Sequence, residues 1–85
     1  MGGTAIEILY NQIIFFTNKE TFVLKNYGYI IFETHKGSGK PISEIYKIFK
    51  RFIEIGFLSN NKSDDESYIT DINYSLEMIR SKIDE

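Results

Sequence analysis

The stretch Ile42 to Ile55, bounded by Pro41 before it and Gly56 after it, is the most demanding feature of this sequence. Set on a helix at about 100° per residue, its apolar side chains (Ile42, Ile45, Tyr46, Ile48, Phe49, Phe52, Ile53 and Ile55) fill one continuous half of the surface. Glu44, Lys47, Lys50, Arg51 and Glu54 fill most of the other half. A surface helix needs an apolar stripe only a little over about 100° wide, so an arc nearer about 180° has to meet more than one layer of structure. Ser43 is the expected N-cap, Gly56 the expected stop, and Phe57-Leu58 return the chain to the core. Only 85 residues are available to cover this helix. That is about one small domain with a modest core, which rules out a multidomain enzyme and favours a partner, a second copy of the chain included.

The segment before the helix reads as β structure. Ile6, Ile8 and Tyr10 alternate with Ala5, Glu7 and Leu9, the period-2 pattern of a strand with one wetter face. Asn11-Gln12 fits a tight turn, and Ile13-Ile14-Phe15-Phe16 reads as a central strand. A polar break at 17–20 precedes a third strand, Thr21 to Leu24. Two hairpins in so short a span predict a three-stranded antiparallel meander over residues 5–24.

Tyr27, Ile30 and Ile31 then change the period to that of a helix over 27–34, with Asn26 placed to cap it. Lys36 to Pro41 is a flexible break rich in Gly. Ser59 to Ser67 is polar and acidic, a linker by composition. Ile72, Leu76, Ile79 and Ile83 restore a helical signal over 70–83. The predicted division is therefore a folded unit at 1–58, an acidic linker at 59–67 and a C-terminal helix within 68–85. The predicted class is α+β: a small winged-helix-like domain, its three-stranded meander followed by helices.

Composition narrows the chemistry. The chain has no cysteine, so it carries no disulfide framework, zinc ribbon or iron–sulfur site of its own. The net charge of −2 hides a division: seven basic and five acidic side chains lie in 1–58, against three and seven in 59–85. That balance lacks the dense basic patch usual in nucleic-acid domains and argues against a nucleic-acid partner. No apolar run reaches the roughly 18–20 residues of a membrane span, so no membrane partner is expected. The opening Met-Gly-Gly-Thr-Ala-Ile lacks the order of a signal peptide, and Ile6 stands where myristoylation needs Ser or Thr. A cytoplasmic location is the reading that results.

No catalytic, metal or cofactor constellation emerges. His35, the only imidazole, falls in an expected solvated loop. Gly37-Ser38-Gly39-Lys40 resembles part of a phosphate loop, but Thr34 and Pro41 occupy the positions that need Gly and Ser or Thr. Asp64-Asp65-Glu66 lacks the spacing of a calcium loop. The sequence predicts a protein that is not an enzyme and carries no cofactor and no metal.

One family order runs through residues 6–58. Val23-Leu24-Lys25-Asn26-Tyr27-Gly28-Tyr29-Ile30-Ile31-Phe32-Glu33 resembles the strand-into-helix segment of PqqD-like proteins, the recognition elements of ribosomally made, modified peptides. Leu24 matches the family's Leu, with Asn26 one place late. Lys36-Gly37 stands for its Asp-Gly break, and Pro41 to Ile45 for its Thr-Val-x-x-Ile helix start. Phe52 to Leu58 resembles the closing segment, although 18 residues between Gly37 and Gly56 leave room for one helix where the family has two.

The resemblance implies a non-catalytic module in natural-product biosynthesis. It would capture the leader of a precursor peptide by β-strand addition and present it to a peptide-modifying enzyme. Thr21, Phe22, Val23, Leu24 and Lys25 would supply the pairing edge. Tyr46, Phe49, Lys50 and Ile53 would line the cleft, with Lys50 meeting acidic leader residues. The alternative is a winged-helix DNA-binding regulator using Lys47, Lys50 and Arg51 on the polar half of helix 42–55.

Overall fold

Ala5, Leu9 and Ile13 recur every four residues and are all at most 1 % exposed, the stripe of a helix laid on a core. In the computed structural model, which describes residues 2–83, they belong to helix α1, Gly2–Phe16. The first two strands of the expected meander are thus replaced by one helix, and the third shrinks to β1, Val23–Leu24. The period-2 set Ile6, Ile8 and Tyr10 is only half-buried, on the flanks of the stripe. Helical packing against the next helix overrides the strand preference of the isoleucines. Lys19 closes α1, its ammonium donating to the Ile14 and Thr17 carbonyls.

Helix α2, Tyr27–Ser38, runs back along α1, with the Phe16 ring 5.9 Å from that of Tyr29 and Ile8 against Gly37. Asn26 precedes it in the left-handed region (φ 58°). Its carbonyl accepts from Tyr29 and Ile30, while its side chain makes no cap, contrary to expectation. Gly39 (φ 74°) ends α2 by donating to the His35 carbonyl at 3.0 Å. Three residues, Gly39 to Pro41, lead into α3, Ile42–Glu54. Pro41 holds the N-cap position assigned to Ser43, which lies inside the helix. Ile45, Phe49 and Phe52 form the buried stripe of α3, but Ile42 and Tyr46 are about half exposed, so the contact arc is narrower than the apolar arc. Gly56 (φ 93°) makes the sharp exit, packed under the Tyr74 hydroxyl, which donates to the Ile55 carbonyl.

The acidic segment 59–67 is not a linker. It holds the end of β2, Leu58–Asn60, and the turn into β3, Tyr68–Thr70. These strands pair antiparallel, Leu58 opposite Thr70 and Asn60 opposite Tyr68. β3 also pairs antiparallel with β1, Val23 opposite Ile69 and Leu24 opposite Tyr68, so the sheet order is β1-β3-β2. Residues 68–70, expected to open a terminal helix, are the middle strand. Helix α4, Leu76–Ile83, is shorter than predicted and returns Ile79 to the core cluster that also holds Leu9, Phe52 and Phe57. The fold is a small α+β arrangement of four helices and one three-stranded antiparallel sheet among the described residues. Its strands follow and interleave with the helices rather than preceding them.

Candidate functional site

The turn between α2 and α3 is held from inside. His35 is half-buried, and its Nδ1 lies 2.5 Å from the Lys40 carbonyl. A carbonyl only accepts, so Nδ1 carries the proton and donates. Ser38 Oγ accepts from the Lys40 amide at 3.2 Å. The loop histidine expected to be solvated is thus a strut that fixes the angle at which α3 leaves α2.

With Ile45, Phe49 and Phe52 turned inward, the opposite side of α3 carries Ser43, Tyr46, Lys47 and Lys50, all exposed. Their spacing is i, i+3, i+4, i+7, so they form one face over the first two turns of the helix. Lys50 Nζ sits 5.5 Å from the Tyr46 ring centroid, a cation–π contact that couples the two exposed side chains. Lys47 lies 3.9 Å from Glu44, an exposed pair of little energetic weight. Lys36 and Lys40 lie on α2 and the turn that precede this face. Residues 36–50 thus carry four lysines against one glutamate. Arg51, grouped with Lys47 and Lys50 on the helical wheel, is directed elsewhere: its guanidinium meets Glu54 at 2.8 Å and approaches the Lys82 and Ile83 carbonyls at the end of α4. The face does not stand out as a unit in the sequence, because Ser43 reads there as a cap and Tyr46 as part of the apolar arc and a wall of a peptide cleft.

The acidic turn has a structural use. Asp64 and Glu66 line a cleft of about 440 Å³ with Lys25, Asn26, Tyr27 and Gly28. Helix α2 has no acidic residue in its first turn and no side-chain cap. The two carboxylates bring negative charge to the cleft at the positive end of that helix.

The residues expected to bind a peptide are divided. Thr21, Val23 and Lys25 line a groove of about 560 Å³ with Phe16, Asn18, Asn26, Asn61 and Asp64. No α3 residue lines that groove. Phe49 is 1 % exposed, stacked on Tyr27 at 5.6 Å and edge-on to Tyr68 at 5.3 Å, so it is core. Leu24 is fully buried and Ile53 half-buried. Phe22 adopts φ 61° and lines a different cavity, with Gly56 and Ile72. The backbone at 22–23 is already engaged. The Phe22 amide donates to the Asn18 carbonyl and the Val23 amide to Thr21 Oγ1, while the Phe22 carbonyl accepts from Thr70 and the Val23 carbonyl from Asn18.

Two tyrosines have raised pKa values. Burial pushes Tyr68 up, helped by the neighbouring Tyr27 and Tyr46 hydroxyls. Tyr29 is raised by its hydrogen bond to the Glu33 carboxylate and by that group's charge. Among the described residues no group of three or more His, Asp or Glu side chains is placed to hold a metal ion, and no helix is long and apolar enough to cross a membrane. No family model, no curated protein and no solved structure matches this chain.

Proposed function

We propose that the chain is a winged helix-turn-helix domain that binds duplex DNA through α3. The observation that carries this reading is the exposed face Ser43, Tyr46, Lys47 and Lys50 on the second of two helices joined by a three-residue, Gly-containing turn. A recognition helix presents side chains of its N-terminal turns to base edges in the major groove, while the flanking helix and turn meet the backbone. Here Lys36 and Lys40 are the backbone contacts, and β2, β3 and their turn are the wing. The net charge of −2 is compatible with this because four lysines lie on the helix pair and its turn, while Asp64 and Glu66 of the wing line the cleft at the start of α2. An acidic wing does not lie on phosphates, so contact is confined to the helices.

Fluorescence anisotropy with a labelled duplex, titrated across salt concentrations, tests this. Four lysines that neutralise phosphates give a slope of log affinity against log salt of about −3 to −4. The double variant Lys47→Glu, Lys50→Glu should lose at least about tenfold in affinity and flatten the slope. Absence of binding at low salt, or a slope that the double variant leaves unchanged, refutes the reading.

A second reading is the capture of an extended leader peptide, in the manner of the recognition elements. The groove lined by Thr21, Val23 and Lys25 favours it. In this reading the incoming strand displaces the Asn18 turn from Phe22 and Val23. Amide shifts confined to 18–25 and 61–64 on adding a precursor peptide, with none on α3, would support it over DNA binding.

A further inference from the structure

Phe15, Phe16, Tyr29 and Phe32 form a continuous aromatic surface where α1 ends beside the start of α2. The Phe15 and Phe16 rings meet edge-on at 5.1 Å, and Phe16 meets Tyr29 edge-on at 5.9 Å. Tyr29 and Phe32 are neighbours at i, i+3 on one helix face. Their exposures are 77 %, 40 %, 54 % and 48 %. Against about 200 Å² for an aromatic side chain, these fractions leave roughly 400 Å² of apolar surface in water. That is within the range of the largest patches on monomeric proteins, which are often functional.

We infer that this surface is the interface on which a second copy of the chain docks. Two such patches face to face remove roughly 800 Å² of apolar surface, the core of an interface at the smaller, weaker end of the specific range. The charges at the rim support self-association over a partner of one sign. Glu33 and Lys36 lie 3.4 Å apart beside the rings, and Lys36 Nζ sits 5.6 Å from the Phe32 centroid. A two-fold axis sets the same patch against itself, so Glu33 and Lys36 of one copy can exchange partners with Lys36 and Glu33 of the other across the interface. The inference does not rest on the DNA-binding reading: the four rings share no residue with the exposed face of α3, and Lys36 at the rim is the one residue that both surfaces use.

Sedimentation equilibrium of the full chain from low micromolar to several hundred micromolar should show the mass rising from one chain to two. Phe15→Lys and Phe32→Lys, each at an exposed position, should weaken association at least tenfold while leaving the circular dichroism spectrum unchanged. In the unsubstituted chain, concentration-dependent amide shifts should concentrate on 15–16 and 29–36. A chain that stays monomeric at the highest concentration overturns the inference. So does a dimer that survives both substitutions, or shifts that gather elsewhere.

Discussion

Replacing Thr17 by valine removes a hydroxyl that joins the end of α1 to the middle strand of the sheet. Thr17 Oγ1 lies 2.6 Å from the Ile13 carbonyl and 3.0 Å from Thr70 Oγ1, with both threonines at most 3 % exposed. One hydroxyl has one proton. The Ile13 carbonyl can only accept, so Thr17 donates to it, and Thr70 donates to Thr17. Thr17→Val therefore deletes two hydrogen bonds and leaves the Thr70 hydroxyl buried without an acceptor, costing about 2–3 kcal/mol. Thr70→Val deletes one bond and leaves the Thr17 proton satisfied, costing about 0.5–1.5 kcal/mol. The double variant removes the stranded hydroxyl and should be no less stable than Thr17→Val alone, a coupling of about 1 kcal/mol in a double-mutant cycle. Urea unfolding of the four proteins measures this, and the Thr17→Val midpoint in a thermal melt should fall by roughly 10 °C or more. Additive losses, or a Thr70→Val cost above that of Thr17→Val, would refute the assigned direction of the hydrogen bonds.

Truncation after Leu58 removes the middle strand and Ile79, so residues 1–58 should show no cooperative thermal transition by circular dichroism. Gly28→Ala and Gly39→Ala should act in opposite directions in the same assay, although an added methyl meets nothing within 4 Å at either site. The first stabilises α2 by about 0.5 kcal/mol through helix propensity, and the second costs about 1 kcal/mol because φ is +74°. In a spectrophotometric titration, Tyr68 and Tyr29 should ionise above their ordinary value of 10.0, and Glu33→Gln should bring Tyr29 down alone. A raised folded-state value means the folded chain holds these protons more tightly. Their stabilising contribution is complete below pH 10.0 and is lost as pH rises through the folded values.

Legibility in the sequence followed locality. Helix α3 was readable almost to the residue, because Pro41, Gly56 and the stripe Ile45-Phe49-Phe52 are all local signals. The start of α2 was readable from Tyr27, Ile30 and Ile31. Helix α1 was not, because Ile6, Ile8 and Tyr10 satisfy a strand period while Ala5, Leu9 and Ile13 satisfy a helical one. Only packing on α2 decides between them. The strands were hardest: β1 is two residues long and exists through pairing with Ile69 and Tyr68, far along the chain. The segment 59–67 has the composition of a linker, yet Asn61 and Ser67 tie it into a tight turn through both backbone and side chains. For the site, the lysines were visible, but which of them share a face with Tyr46 depended on the side of α3 that the core takes.

The late position of the middle strand has a consequence for the chain as it is being made. Leu24 must wait for Tyr68 to reach its neighbour in the sheet. At ordinary elongation speeds, that gap takes roughly 2–9 s to synthesise. For the last part of this interval, about 1–4 s, Phe49 lacks the Tyr68 ring against which it finally rests. The nascent chain therefore carries an unfinished aromatic cluster for a time far longer than helices take to form. The apolar surface of the growing chain is therefore least covered just before its last strand emerges.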